Sequence, residues 1–244
     1  MVFCNFRCLL SLCLLGCVSL TSLGCDKQTT QQSMPNQGAA PISVSIDVEH
    51  DMHTLALPLR LAFMTGHVKA GMALYRAGEL QMAAPHLLHP VSETHEKERE
   101  GIDKIGFNGD LFEQVSAALE AKQLATDIEP LLAKAEANLA MVAQRAGGDT
   151  VEIIQFLLAT TVDEYTIAIN NGAITDLGEY QDAYGFVQVA LAQSSSLPSP
   201  LDNKVMAGLK LLAALWSKGP LPVEKPESVA KVTDLVAKVS NLLK

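Results

Sequence analysis

The sequence predicts an all-α fold of antiparallel helical hairpins, a bundle of about seven or eight helices. Three observations predict it. Apolar residues recur at helical spacing through most of the chain from residue 51 onward. Hydrophobic β-branched runs with period two are nearly absent. Glycine, Asn-Gly and proline-rich punctuation cuts the periodic stretches into segments of helix length.

Residues 1–24 stand outside that fold. Arg7 gives a weakly positive start, and Cys8 to Gly24 is an apolar run ending in small residues, the pattern of a secretory signal. At this length the run is borderline for a membrane span, and no stop-transfer pattern follows it. All five cysteines (Cys4, Cys8, Cys13, Cys17 and Cys25) fall within the first 25 residues. A cysteine that follows Ser22-Leu23-Gly24 and precedes a polar tail resembles a bacterial lipoprotein signal. Cys25 is therefore the expected site of acylation, by palmitate or a similar chain. Leu14-Leu15-Gly16-Cys17 offers Cys17 as the alternative, and a plain cleaved signal without lipid is the third reading. Acylation would hold the chain on a membrane surface of the bacterial cell envelope, facing the periplasm or exterior, without spanning it. Nucleotide cofactors are scarce there.

Residues 25–50 read as a flexible tether, polar and rich in Gln, Thr and Pro with no period. The helical domain is expected over 51–244, with a sub-boundary near 195–200. Its first helix starts near His53 and carries Leu55, Leu57, Leu59, Leu61, Phe63, Met64, Val68, Met72 and Tyr75. Gly78 interrupts it, and Leu80 to Leu88 resumes. Asp110–Lys122 and Asp127–Ala146 follow, the second closed by Gly147-Gly148. Asp149 reads as the N-cap of the next helix, which Asn171-Gly172 ends. Asp176–Ser194, Leu201–Lys218 and Val229–Leu243 complete the series. The formal net charge is −9, and no basic stripe is present, so nucleic acid is not an expected partner.

The hairpin at 67–90 carries His67, Gly71, Leu74, Tyr75, Gly78, Ala83 and Leu87, which resembles half of a tetratricopeptide repeat. No second copy follows at a period near 34, so a stand-alone helical hairpin is expected. His86, His89 and Glu93 are spaced i, i+3, i+7, on one helix face, and His67 on the preceding helix can face them across the turn. Imidazole with carboxylate suits zinc, iron or Cu(II) better than calcium or magnesium. Pro90 is expected to disfavour helix at His89. His50 and His53, beside Glu49 and Asp51, form a second acidic-histidine patch, and Glu93–Glu100 reads as a solvated helix face.

A second cluster lies further on. Glu164 sits in the last turns of one helix and Glu179 in the first turn of the next, with Asn171-Gly172 between them. An antiparallel pair would bring the two carboxylates together, with Asp182 and two tyrosines nearby. The plainer account is helix-end electrostatics, Asp176 and Glu179 acting as a capping pair.

The pattern EYxxAIxxGxIxDxxEYxDxxGF from Glu164 to Phe186 resembles the helical extracytoplasmic segment attached to some bacterial high-affinity iron permeases. The Gly66-His67 and His86-x-x-His89-Pro90-x-x-Glu93 helices resemble those of imelysin-type periplasmic iron proteins, although the glycine-histidine-glutamate signature of that group is not intact here. These resemblances imply periplasmic metal handling, with Glu164, Glu179 and Asp182 as ligands beside the histidines.

No GxSxG, phosphate-binding glycine loop or HExxH is present, and after residue 25 no cysteine nucleophile, so no enzyme is expected. The expectation is a lipid-anchored helical protein that binds a transition metal, above all iron or zinc, or haem. It would present that cargo to a partner such as a metal transporter. The candidate ligands are His67, His86, His89, Glu93, Glu164, Glu179 and Asp182. The alternative is a metal-free helical scaffold that binds an envelope protein.

Overall fold

The computed structural model describes residues 55–92 and 99–244. The leader, Cys17, Cys25, the tether, His50, His53, Glu93 and His95 lie outside the described residues. The all-α expectation holds. Eight helices account for nearly all the regular structure among the described residues: α1 Leu57–Arg76, α2 Leu80–Leu88, α3 Gly109–Glu120, α4 Ala125–Ala146, α5 Thr150–Ala168, α6 Leu177–Gln193, α7 Leu201–Ala213 and α8 Val229–Leu242.

The helix boundaries follow local chemistry. Pro58 sits in the first turn of α1, where its missing N–H costs nothing. Gly78 adopts φ +88°, a turn conformation that glycine alone enters freely, and α2 begins two residues later. The Asp149 and Asp176 carboxylates cap α5 and α6 by accepting the backbone N–H groups of Glu152 and Glu179. α7 stops at Ala213, short of Lys218, and Ser217–Pro220 runs extended, with the Trp216 indole N–H donating to the Tyr180 carbonyl at 3.1 Å.

Between α5 and α6 the chain makes a small antiparallel ribbon, β1 Ile169–Asn170 with β2 Ala173–Ile174. Ile169 pairs with Ile174 and Asn170 with Ala173. Asn171 and Gly172 fill the two-residue loop at φ +52° and +76°, the left-handed values that this tight hairpin turn requires. The turn reverses the chain so that α6 returns antiparallel to α5.

Two apolar cores result. Helices α1–α4 bury one, with Met64, Leu74, Leu87, Phe112, Leu119 and Ile128 fully enclosed. Helices α5–α8 bury the other around Ile154, Leu157, Tyr165, Tyr180, Phe186 and Val232. α1 belongs to both: Leu59 and Ala62 face the second core, and Leu61 and Met64 the first. It packs along α6, while α2 packs on α1.

That central crossing is very close. A Cβ on Gly185 of α6 would collide with the Gly66 carbonyl of α1, and one on Gly66 would collide with the Phe186 ring. On the other flank of α1, a Cβ on Gly71 would meet Leu87 at 2.8 Å and the His86 Cβ at 3.1 Å. Three glycines thus let α1, α2 and α6 approach backbone to backbone, one turn or less from His67, His86 and Asp182.

Candidate metal centre

His67 faces α6 from the middle of α1, His86 projects from α2, and Asp182 from the second turn of α6. All three are buried, at 4%, 8% and 7% exposure. The Oδ1 atom of Asp182 lies 2.8 Å from His86 Nδ1 and 2.7 Å from His67 Nδ1. One carboxylate oxygen is therefore the meeting point of two imidazoles from two other helices.

The two histidines differ in how they are held. His86 hydrogen-bonds through both ring nitrogens, Nδ1 to Asp182 and Nε2 to Gln181 Oε1, each at 2.8 Å. His67 has its Nδ1 beside Asp182 but off the line of a hydrogen bond, and neither of its nitrogens has a hydrogen-bond partner among the described residues. Its Nδ1 is held by that close contact with the carboxylate, while Nε2 is left as a buried polar atom without a partner among the described residues, which costs stability. Its walls are aromatic. Phe63 and Phe186 present at 4.6 and 5.3 Å, edge-on, and His89 stacks nearly parallel at 3.5 Å.

Electrostatics follow from this packing. Burial alone would push the Asp182 carboxyl up, but the imidazoles of His67 and His86 hold it well below the usual carboxylate range. Burial pulls His86 down, and the hydrogen bond and charge of Asp182, with help from Gln181 and Glu179, more than reverse it. Burial pushes Glu164 up to about 9, reinforced by a hydrogen bond to Glu179 and by the charges of Glu179, Asp182 and Asp163. The α5–α6 hairpin therefore brings Glu164 and Glu179 together, and Asp182 lies near enough for its charge to act on Glu164. Asp176 also caps α6, so the helix-end account holds for that residue while the Glu179 side chain turns to Glu164.

Of the residues singled out in the sequence, His67, His86, His89 and Asp182 meet in one place, and Glu164 with Glu179 flank it. Glu93 lies outside the described residues. His89 stays helical at φ −44° and ψ −48° despite Pro90: the helix tightens to a 3-10 turn over His89–Val91 instead of breaking. The sequence reading missed Gln181, Met82, Phe63 and Phe186. Met82 and Phe63 stand four residues before His86 and His67, a spacing that could have found them. Nothing in the sequence marks Gln181.

The donor set fits a metal ion. His67, His86 and Asp182 each offer one ligand atom, and these atoms lie within 4.8 Å of one another, as donors about 2 Å from a shared ion must. Two imidazoles and one carboxylate with room for further ligands is the donor set that non-haem Fe(II) favours. That room exists: a solvent-facing pocket of about 440 Å³ opens beside His86, His89 and Asp182, rimmed by Gln81, Met82, Pro85, Leu177 and Gly178.

Residues 144–244 match the family model of the iron permease-associated 4-helix bundle domain. The iron-permease resemblance of Glu164–Phe186 thus extends over the whole C-terminal part of the chain, and the matched bundle is α5–α8. It supplies Asp182, Gln181, Glu164 and Glu179, while His67, His86 and His89 come from the helices that precede it. The match shows that residues 144–244 are similar to that iron permease-associated domain. No curated protein and no solved structure matches the chain. Among the described residues, no helix is long and apolar enough to cross a membrane.

Proposed function

We propose that this protein binds a transition-metal ion, iron before zinc, at His67, His86 and Asp182, and hands it on as cargo. The observation that carries this reading is that one ligand atom each from His67, His86 and Asp182, all three buried, lie within 4.8 Å of one another. A cation between the imidazoles and the carboxylate would satisfy those atoms together. It would also offset the negative charge of the buried Asp182 carboxylate. Two neutral imidazoles and one carboxylate leave a bound divalent ion with a net charge of about +1 and with coordination positions open to further ligands. The iron-permease-associated bundle supports iron over zinc. A bare ion suits the site better than haem, because the three donors converge on one point instead of approaching opposite faces of a ring.

In this reading the protein is a binder and not an enzyme. Its partner is a metal transporter, and Cys25 carries a lipid that holds it on the envelope membrane. Exchanging Cys25 for alanine should release the protein from the membrane fraction, and retention of the variant there would overturn that address.

The metal reading is tested by elemental analysis of protein purified without chelator or histidine tag, followed by anaerobic Fe(II) titration. One equivalent per chain is expected, lost in His67→Ala and Asp182→Ala variants that still fold by circular dichroism. A wild-type protein that stays metal-free throughout the titration would leave a structural polar network as the better account.

A further inference from the structure

We infer that Gln181 is a positioning residue that fixes the proton of His86 on Nε2, so that Nδ1 is the atom His86 offers to a metal. The inference rests on the metal reading above and deepens it by assigning the ligating atom and the residue that selects it.

The Gln181 side chain is buried at 3% exposure. Its Nε2 lies 3.5 Å from the Met82 thioether sulfur, and its Oε1 lies 2.8 Å from His86 Nε2. A thioether has only lone pairs to offer, so the amide N–H₂ end must face it and the oxygen must face the histidine. An amide oxygen cannot donate. His86 Nε2 must therefore carry the hydrogen, whatever the state of the other nitrogen. In neutral His86 the lone pair is then on Nδ1, the atom 2.8 Å from Asp182 Oδ1. Without a cation, that lone pair would face the carboxylate's own, unless a proton sits between them. A metal ion takes the place of that proton.

Met82 and His86 stand four residues apart on α2, on one face, and Gln181 reaches both from α6. Met82 thus orients Gln181, and Gln181 orients His86. Partners one step behind the ligands commonly set tautomer and ring orientation, and their loss typically costs 10–100-fold in metal affinity.

The test has two readouts on the same full-length protein. Long-range ¹H–¹⁵N NMR of the Zn(II)-loaded protein, with His86 identified through His86→Gln, reports which ring nitrogen carries the hydrogen. Competition with a chromophoric chelator reports Zn(II) and Fe(II) affinity. Wild type should show the Nε2–H form alone. Gln181→Leu should show a tautomer mixture and bind about 10–100-fold more weakly. Gln181→Glu keeps the acceptor, so it should restore the Nε2–H form and most of the affinity. A wild-type His86 with its neutral proton on Nδ1, or Gln181→Leu with unchanged tautomer and affinity, overturns the inference. The two readings fail separately. A protein that takes up neither metal sinks the metal site, whereas a loaded protein whose His86 carries its hydrogen on Nδ1 sinks only the assignment of the ligating atom.

Discussion

The Asp182 carboxylate works at the shortest range in this protein, and its neighbours make the site depend on pH. Burial and the carboxylates of Glu179, Asp182 and Asp163 hold the Glu164 proton up to about pH 9, whereas an unfolded chain loses it near its ordinary value of 4.5. Between those values the folded state binds a proton that the unfolded state has released, so stability falls as pH rises through that window. His86 acts in the same direction: its raised pKa contributes stability that is complete below the ordinary 6.5 and is lost as pH rises through the folded value. Asp182 acts oppositely, but its depressed pKa matters only in acid, below the ordinary 3.8. The metal-free protein should therefore be most stable at roughly pH 4–6 and weaken toward pH 9. Glu164→Gln should stabilise it at pH 8 by on the order of 1 kcal/mol, read as about 2–4 °C in Tm, and flatten the slope. Thermal melts of both proteins at pH 5 and pH 8 decide it, and a variant less stable than wild type at pH 8 would contradict the assignment. At this scale the sequence was informative about type and poor about partners. Histidines and carboxylates announce themselves, but a glutamine one residue before an aspartate, as Gln181 is before Asp182, looks like any solvated helix residue until its neighbours are known.

At the scale of elements, the helix boundaries were legible because punctuation is local. Gly78, Gly147-Gly148, Asp149, Asn171-Gly172 and Asp176 each act on the backbone within a few residues of themselves. Pro90 misled for the same reason: its bias against helix at His89 is a local preference of modest size, and the surrounding packing absorbs it in a 3-10 turn. The α1–α6 crossing was not legible, because a glycine in mid-helix does not say which partner needs the space. Its importance can now be tested. A methyl group at Gly185 would meet the Gly66 carbonyl and the Ala70 backbone nitrogen, neither of which can rotate away. Gly185→Ala should destabilise the fold by about 3 kcal/mol, the upper end for an overpacked core, and abolish metal binding. Gly78→Ala meets nothing within 4 Å and strains only its own turn, so it should cost about 1 kcal/mol and leave binding intact. Equal effects of the two in denaturant melts would show that close helix approach is not what holds the site.

At the scale of the described residues as a whole, there are two helical cores that share one helix, α1. Successive residues Leu61 and Ala62 point into different cores, so the helix cannot leave one without disturbing the other. Helix count and order followed from periodicity, which is a property of single segments. The histidines of the first hairpin and the carboxylates of the later one were both legible, but not that Asp182 alone of those carboxylates reaches His67 and His86, because that depends on how α6 packs against α1 and α2.

The separation of His67 from Asp182 by more than a hundred residues has a consequence in time. Residues so far apart along the chain come together only when α1 and α2 have packed on α6, a contact of high sequence separation that closes a long loop. A chain that has not yet brought these helices together holds no such constellation, so any ion bound at His67, His86 and Asp182 would enter only after the two parts have met.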